Sequence, residues 1–382
     1  MMSDPLAHES DYVTDAAVLR AVDRAVGELR RGESVLLTDA AGGAAVVLAA
    51  EQVDDAGLAR FRQLADSSAP LLIITARRAA ALGLPVPEGG GGPVALAPGE
   101  AGATRILALA DPAGGSQTVP ANDLPAPVAA GPLAGAAVDL AKLARLLPAA
   151  LLSPVALGSQ VPAGWARQRD VLALGAAQIA EYRFAGARSL TRVAAARLPL
   201  AGAETARVIA FRPGDGGVEH FALVIGDPKP GGPVLVRLHS ECFTGDLLGS
   251  LRCDCGDQLR GAIEAIAKAG AGILLYLSQE GRGIGLVNKL RAYRLQDGGA
   301  DTAEANEQLG FDADERIYLP AAGMLRHVGV RRVRLLTNNP QKVAALARCG
   351  ITVEERVPHA FPSNGHNAFY LATKAARFGH QF

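Results

Sequence analysis

Between Arg237 and Leu259 the chain reads RLHSECFTGDLLGSLRCDCGDQL, which sets Cys242, Cys253 and Cys255 in a C-x10-C-x-C spacing. Few short segments constrain a fold as tightly, because three thiolates brought to one point suit a soft ion such as zinc. Three protein ligands leave one tetrahedral position for water, and water on such an ion ionises near neutral pH. The same spacing also fits a closed structural site completed by His239, or a set of buried free thiols. Cys349, the fourth cysteine, stands far along the chain in a helical pattern and is not a local ligand. Spacing alone leaves the choice open.

With 382 residues the chain can form two domains, each with its own core. Lysine plus arginine and aspartate plus glutamate both number 38, so no basic field favours nucleic acid as a partner. No uninterrupted apolar run reaches the ~18 residues of a membrane span. The opening MMSDPLAHESDYVTDAAV is polar and acidic and lacks the basic start and apolar stretch of a secretory signal. Cysteines at metal-like spacing fit a reducing interior better than a disulfide framework. These features imply a cytoplasmic protein without a membrane partner.

Residues 1–14 read as a flexible tail and 15–150 as a mixed α/β domain. In the latter, Ala17, Val18, Ala21, Val22, Ala25, Val26 and Leu29 repeat at helical spacing up to a breaker at Gly32. Two strands follow at 34–38 and 44–50 around a Gly-Gly turn, then a helix at 56–65, a strand at 71–75 and a short helix at 77–82. Residues 85–132, with glycine from Gly89 to Gly92, read as loop, and 138–147 as a closing helix. Residues 151–188 read as a linker and a connecting helix over 171–182. The second domain, 189–382, opens with strands at 190–198, 206–211, 218–225 and 233–238, the last running into the cysteine segment.

Beyond that segment a helix runs through Leu259, Ile263 and Ile266, and a buried strand spans 273–277. Gln279-Glu-Gly-Arg-Gly-Ile-Gly follows, and its glycines at 281, 283 and 285 permit positive φ and close approach to a ligand. On pattern alone this is a tight turn, and Tyr293 is an ordinary aromatic of a helix over 287–295. Asp314 and Arg316 lie in LGFDADER, a surface turn on the same terms. Thr337-Asn-Asn-Pro-Gln-Lys342 joins a strand at 333–336 to a helix, where amides, a hydroxyl and an ammonium all favour phosphate. Residues 351–357 read as an edge strand. His359, His366 and His380 are scattered along a mixed tail and carry no metal assignment.

Taken in order, RLHSECFTGDLLGSLRCDCGDQL, SQEGRGIGLVNKLRAYRLQDGGADTAEAN, LGFDADER and LLTNNPQK resemble GTP cyclohydrolase II over residues 192–382. The resemblance implies a zinc-dependent hydrolase committing GTP to riboflavin synthesis. Its products would be 2,5-diamino-6-ribosylamino-4(3H)-pyrimidinone 5′-phosphate, formate and pyrophosphate. It implies one catalytic zinc on Cys242, Cys253 and Cys255, magnesium with the triphosphate, and a homodimer. It places the nucleotide along Arg237, Leu238, His239, Ser240, Glu241, Gln258, Glu280, Gly281, Arg282, Thr302, Thr337 and Lys342, with Glu304 and Asn306 beside Thr302. Tyr293 would assist proton movement at the imidazole ring. Arg316 would act at the α-phosphate, as nucleophile or as charge stabiliser, with Asp314 orienting it. An arginine nucleophile is chemically demanding, because the guanidinium stays protonated.

The layout of 15–150 is similar to that of dihydroxybutanone phosphate synthase. That enzyme needs several carboxylates after its first strand and a histidine before its closing helix. Here Asp39-Ala-Ala-Gly-Gly-Ala-Ala offers one carboxylate, and Gly131 to Leu140 contains no histidine. One carboxylate hardly holds magnesium, so this domain is expected to be inactive and to serve as a scaffold or dimerisation unit. The whole is expected to be a two-domain α/β (mixed α+β) protein. Rivals to the cyclohydrolase reading are a variant that stops at a formamidopyrimidine, a bifunctional enzyme, and a guanine-nucleotide-binding regulator without turnover.

Overall fold

The computed structural model describes residues 16–66, 69–86, 92–114, 119–229 and 231–381. The expected N-terminal tail and residues 89–91 of the glycine run lie outside the described residues. The chain gathers into two compact units, the first formed by Ala17–Arg183 with Ile284–Glu315, the second by 184–283 with 316–381. The chain therefore leaves the second unit after Gly283 and re-enters it at Arg316.

The first unit is built on seven strands: β1 (Val35–Thr38), β2 (Ala44–Ala49), β3 (Leu71–Ile74), β4 (Val94–Leu96), β5 (Pro127–Val128), β6 (Ala149–Pro154) and β7 (Leu172–Gly175). They lie in the order β5-β4-β3-β6-β2-β1-β7, antiparallel except for the parallel pair β1–β7. Side chains alternate between faces. Leu36, Val46 and Leu48 enter one apolar cluster, and Val35, Leu37 and Val47 enter another. Both faces are covered, so these strands read as continuous apolar runs. Helix Ala16–Arg30 buries Val22, Ala25, Val26 and Leu29 as the helical spacing predicts, but in its first turn Leu19 is buried and Ala17 exposed.

Three expectations for this region need correction. The stretch taken as loop contains β4 and helix Ala103–Ala110, whose ATRILALA core is flanked by the glycine and proline that obscured it. The closing helix spans Ala134–Leu143, earlier than expected, because Arg145 turns left-handed and Pro148 follows. The stretch taken as linker supplies β6, helix Pro162–Gln168 and β7, whose partners in the sheet are distant in sequence.

Residues 284–315 complete the first unit. Ile284, Ala292, Ala305, Leu309 and Phe311 join the cluster that holds Leu36 and Phe61. Arg291 bridges Glu51 at 3.0 Å and Asp111 at 3.2 Å. Lys142 pairs with Glu315 at 2.6 Å, and the Thr75 hydroxyl donates to the Gly310 carbonyl at 2.7 Å.

The second unit has β8 (Thr191–Arg197), β9 (Arg207–Arg212), β10 (His220–Ile225), β11 (Val234–Ser240), β12 (Gly272–Leu277), β13 (Arg332–Leu336) and β14 (Thr352–Val357). Their order is β14-β13-β11-β12-β10-β9-β8. β14, β13, β11 and β12 run parallel, and the remainder antiparallel. The fold is therefore mixed α/β, with β14 at an edge as expected. The carboxyl ends of β13, β11 and β12 lie side by side, where open parallel sheets carry ligand sites.

Candidate metal and nucleotide site

Alternation along β11 decides what its side chains can do. Val234, Val236 and Leu238 face one apolar cluster, while Leu235 enters the other. Arg237 and His239 share the parity of Leu235, on the side where that cluster takes Ala262 and Ile266 from helix Cys255–Lys268. Beyond Ser240, the chain leaves the sheet through Glu241, whose amide donates to the Leu277 carbonyl of β12 at 2.8 Å.

Cys242, two residues past β11, meets Cys253 and Cys255, the latter opening helix Cys255–Lys268 and the former lying just before it. The three sulfurs all lie within 4.8 Å of one another, and Cys242 and Cys253 are 3.8 Å apart. Bonds of about 2.3 Å at tetrahedral angles place sulfurs about 3.8 Å apart, so this donor set fits zinc. Hydrogen bonding to Cys242 pushes the Cys253 thiol up to about 11, and Cys255 lies well above its ordinary range. A cation among the sulfurs reverses that penalty. Gly245 leaves the space: a Cβ there would stand 2.8 Å from the Cys253 sulfur and 3.1 Å from that of Cys242.

Asp246 organises the turn. It accepts from the Cys242 amide at 3.0 Å, from the Tyr276 hydroxyl at 3.0 Å, and pairs with His239 Nε2 at 3.0 Å. His239 stacks on Tyr276 at 5.6 Å, and burial lowers its pKa against the pull of Asp246. The metal-compatible cluster among the described residues consists of the three cysteines. His239 faces Asp246 instead, so it does not close that cluster.

The loop after β12 ties in from the other side. Glu280 is 4 % exposed; its carboxylate accepts from the Phe243 amide at 2.6 Å and from the Gly281 amide at 2.8 Å. One carboxylate thus joins the glycine-rich loop to the cysteine turn. Gly281 and Arg282 both have φ of 62°, which costs a non-glycine residue about 1–2 kcal/mol. Strain of this kind gathers at functional loops. Arg282 lies over the Phe378 ring at 4.0 Å. Arg316 donates to the Ser240 hydroxyl at 3.4 Å.

After β13, Asn339 caps helix Pro340–Arg348 by accepting from the Gln341 amide, and the Thr337 hydroxyl accepts from the Asn339 amide at 3.0 Å. Lys342 is buried and donates to the Leu238 carbonyl at 3.0 Å. Arg237, 4 % exposed, donates to the Leu336 carbonyl at 3.0 Å and to Gln258; desolvation lowers its pKa to about 10. Gln258 donates in turn to Asp254, which pairs with Lys374 at 2.6 Å. Burial works against the Asp254 charge, but Lys374 outweighs it and holds the carboxyl below its ordinary range.

The family model described as GTP cyclohydrolase II matches residues 191–358. A protein of Azospirillum brasilense named GTP cyclohydrolase-2 is 54% identical over 385 residues, spanning 100% of this chain and 98% of its own. The chain belongs to the GTP cyclohydrolase II family. A GTP cyclohydrolase-2 of Pseudomonas paraeruginosa is 59% identical over 192 residues, covering 50% of this chain and 93% of its own. Among solved structures, a two-domain 3,4-dihydroxy-2-butanone 4-phosphate synthase from A. baumannii aligns over 89% of this chain and 99% of its own. The two share 20% sequence identity with a TM-score of 0.36.

Within this family member, Arg237, Leu238, His239, Ser240, Glu241, the three cysteines, Gln258, Glu280, Gly281, Arg282, Arg316, Thr337 and Lys342 all belong to the second unit. Tyr293, Thr302 and Asp314 belong to the first. Tyr293 lies on helix Leu286–Asp297 with the Lys289 ammonium 5.7 Å from its ring. Thr302 opens helix Thr302–Gln308, where Asp301 and Glu304 form a capping box. Sequence reading passed over Asp246, Gly245, Tyr276 and Asp254. Asp246 and Gly245 lie inside the cysteine segment, and an acid four residues after a ligand could have been flagged. Tyr276 had no local signal, because only the register of β11 with β12 sets it against His239.

Proposed function

We propose that this chain is a GTP cyclohydrolase II that hydrolyses GTP to the diaminopyrimidinone ribosyl phosphate, formate and pyrophosphate, the first step of riboflavin biosynthesis. The observation that carries the reading is the three-sulfur cluster at the carboxyl end of β11, inside the segment matched to the family. Cys242, Cys253 and Cys255 would hold one zinc, which supplies Lewis acidity and a water that ionises near neutral pH. His239 remains with Asp246, keeping that histidine off the metal and the Cys242 turn fixed.

Glu280 stands next to that turn and is suited to accept from the N1–H and N2–H edge of guanine, since a carboxylate offers about four acceptor positions. The buried Lys342 ammonium, held by the Leu238 carbonyl, suits a phosphate together with the Thr337–Asn339 helix start. Arg316 would stabilise charge at the α-phosphate, and magnesium bound with the triphosphate would supply charge neutralisation there. By family resemblance, Tyr293 moves a proton at the base and Asp314 orients Arg316. The protein works in the cytoplasm as a homodimer; no described helix is long and apolar enough to cross a membrane.

The first unit serves as the scaffold for residues 284–315, which carry Tyr293, Thr302 and Asp314. Asp39, the lone carboxylate after β1, caps its own turn by accepting from the Ala41 and Gly43 amides. Glu51 and Asp111 are paired with Arg291. Ribulose 5-phosphate with magnesium should therefore yield no dihydroxybutanone phosphate.

Incubating zinc-loaded protein with GTP and magnesium, and quantifying formate and pyrophosphate together, tests the main reading. Equal amounts of both are expected. Pyrophosphate without formate means that the zinc half has failed or diverged, and mass spectrometry of the product separates a formamidopyrimidine from GMP; bound GTP with neither product leaves a regulator.

A further inference from the structure

The family model ends at residue 358, yet the chain continues into helix Ala368–Phe378 and a tail that turns left-handed at Gly379. This segment fastens to one loop from each of the three adjacent parallel strands. Lys374 pairs with Asp254, the residue between Cys253 and Cys255 in the loop after β11, at 2.6 Å. The pair is nearly sealed from solvent, with side chains 8 % and 1 % exposed. Phe378 underlies Arg282 in the loop after β12 at 4.0 Å. The Gln381 amide donates to the Asn338 carbonyl in the loop after β13 at 2.9 Å. Within the helix, Tyr370 flanks the Lys374 ammonium at 4.4 Å and limits its alternatives.

We propose that residues 368–381 form a strap holding the three site loops in register, with Lys374 as a positioning residue for the zinc-binding turn. The inference rests on the functional reading, since it requires zinc on the three cysteines. Lys374 touches neither sulfur nor substrate. It acts through Asp254, which lies between Cys253 and Cys255 in the chain and whose carboxylate also accepts from Gln258. Groups that orient metal ligands from behind set how tightly the ion is held. Phe378, in turn, fixes Arg282 in its left-handed conformation beside Glu280.

The test follows zinc loss from loaded, full-length protein to a chromogenic chelator, at a temperature where circular dichroism shows each variant folded. Lys374→Met is expected to release zinc about 10- to 100-fold faster than the unaltered protein. Lys374→Arg, which keeps the charge, is expected to restore most of the retention. Combining Lys374→Met with Asp254→Asn is expected to be no worse than either single change, because both break one pair. Phe378→Ala, which leaves the buried pair alone, is expected to raise KM for GTP about tenfold while zinc release stays unchanged. It stands in should Lys374→Met not fold. Zinc retention indifferent to Lys374, additive losses in the double variant, or an unchanged KM in Phe378→Ala overturns the strap. An unaltered protein that takes up no zinc overturns the functional reading as well, whereas loaded and active protein indifferent to these changes overturns the strap alone.

Discussion

The two units are both seven-stranded mixed sheets, but they place their polar groups differently. In the first, these carboxylates are taken up inside the unit: Asp39 caps its own turn, and Glu51 and Asp111 share Arg291. In the second, three parallel strands end together, and cysteines, a carboxylate, arginines and a buried lysine gather there. Parallel neighbours bring several loops to one edge, whereas the antiparallel pairs that dominate the first sheet send successive loops to opposite edges. Similar strand counts therefore say little about chemistry, and strand direction says much. The segment 284–315 complicates the contrast, since it carries motif residues of the cyclohydrolase family yet packs into the first unit's core.

Three experiments press on this contrast. The largest effect is expected from Cys253→Ser, which removes one of three thiolates from the second unit. Formate release should fall by about 1,000-fold or more, given the several kcal/mol that a metal contributes, and zinc content measured by mass spectrometry should fall with it. Formate release that survives the change would place the hydrolytic chemistry elsewhere.

Phe311→Ala comes next. The side chain is 1 % exposed within the first unit's core, and its removal should cost about 3–5 kcal/mol in that unit. If the first unit is the scaffold for Tyr293 and Asp314, cyclohydrolase turnover should fall at temperatures where the second sheet still retains zinc. Turnover that follows only global unfolding would break the scaffold reading.

The smallest effect is one of pH. His359 donates its amide to Asn338 and pairs its ring with the Gln258 carbonyl at 2.8 Å. Burial lowers its pKa from 6.5 to about 4. Between those values the unfolded chain binds the extra proton, so acidification destabilises the fold; the contribution is present in full above about pH 6.5 and lost as pH falls toward 4. His380 shifts in the same direction, to about 3, through burial and neighbouring cations. Melting temperature followed from pH 7 to 4 should drop less steeply in His359→Gln than in the unaltered protein. Parallel curves would remove His359 from the account.

The chain alone determined much of this protein. The cysteine spacing singled out the three sulfurs that the fold brings together, because ligand chemistry depends on residue type, and helix periodicity placed Ala16–Arg30 and Cys255–Lys268 because amphipathic packing repeats locally. The glycine-rich loop was legible for the same reason, with positive φ at 281, 283 and 285. Tertiary structure alone decided the rest. His239 and Tyr276 became neighbours through the register of two parallel strands, with Asp246 bonded to both, and β7 found β1 across more than a hundred residues. Lys374 reached Asp254 across 120 residues. The grouping of 284–315 with the N-terminal strands came from apolar complementarity between segments far apart in sequence. Such pairings arise from burial and closure of distant segments, and no local pattern encodes them.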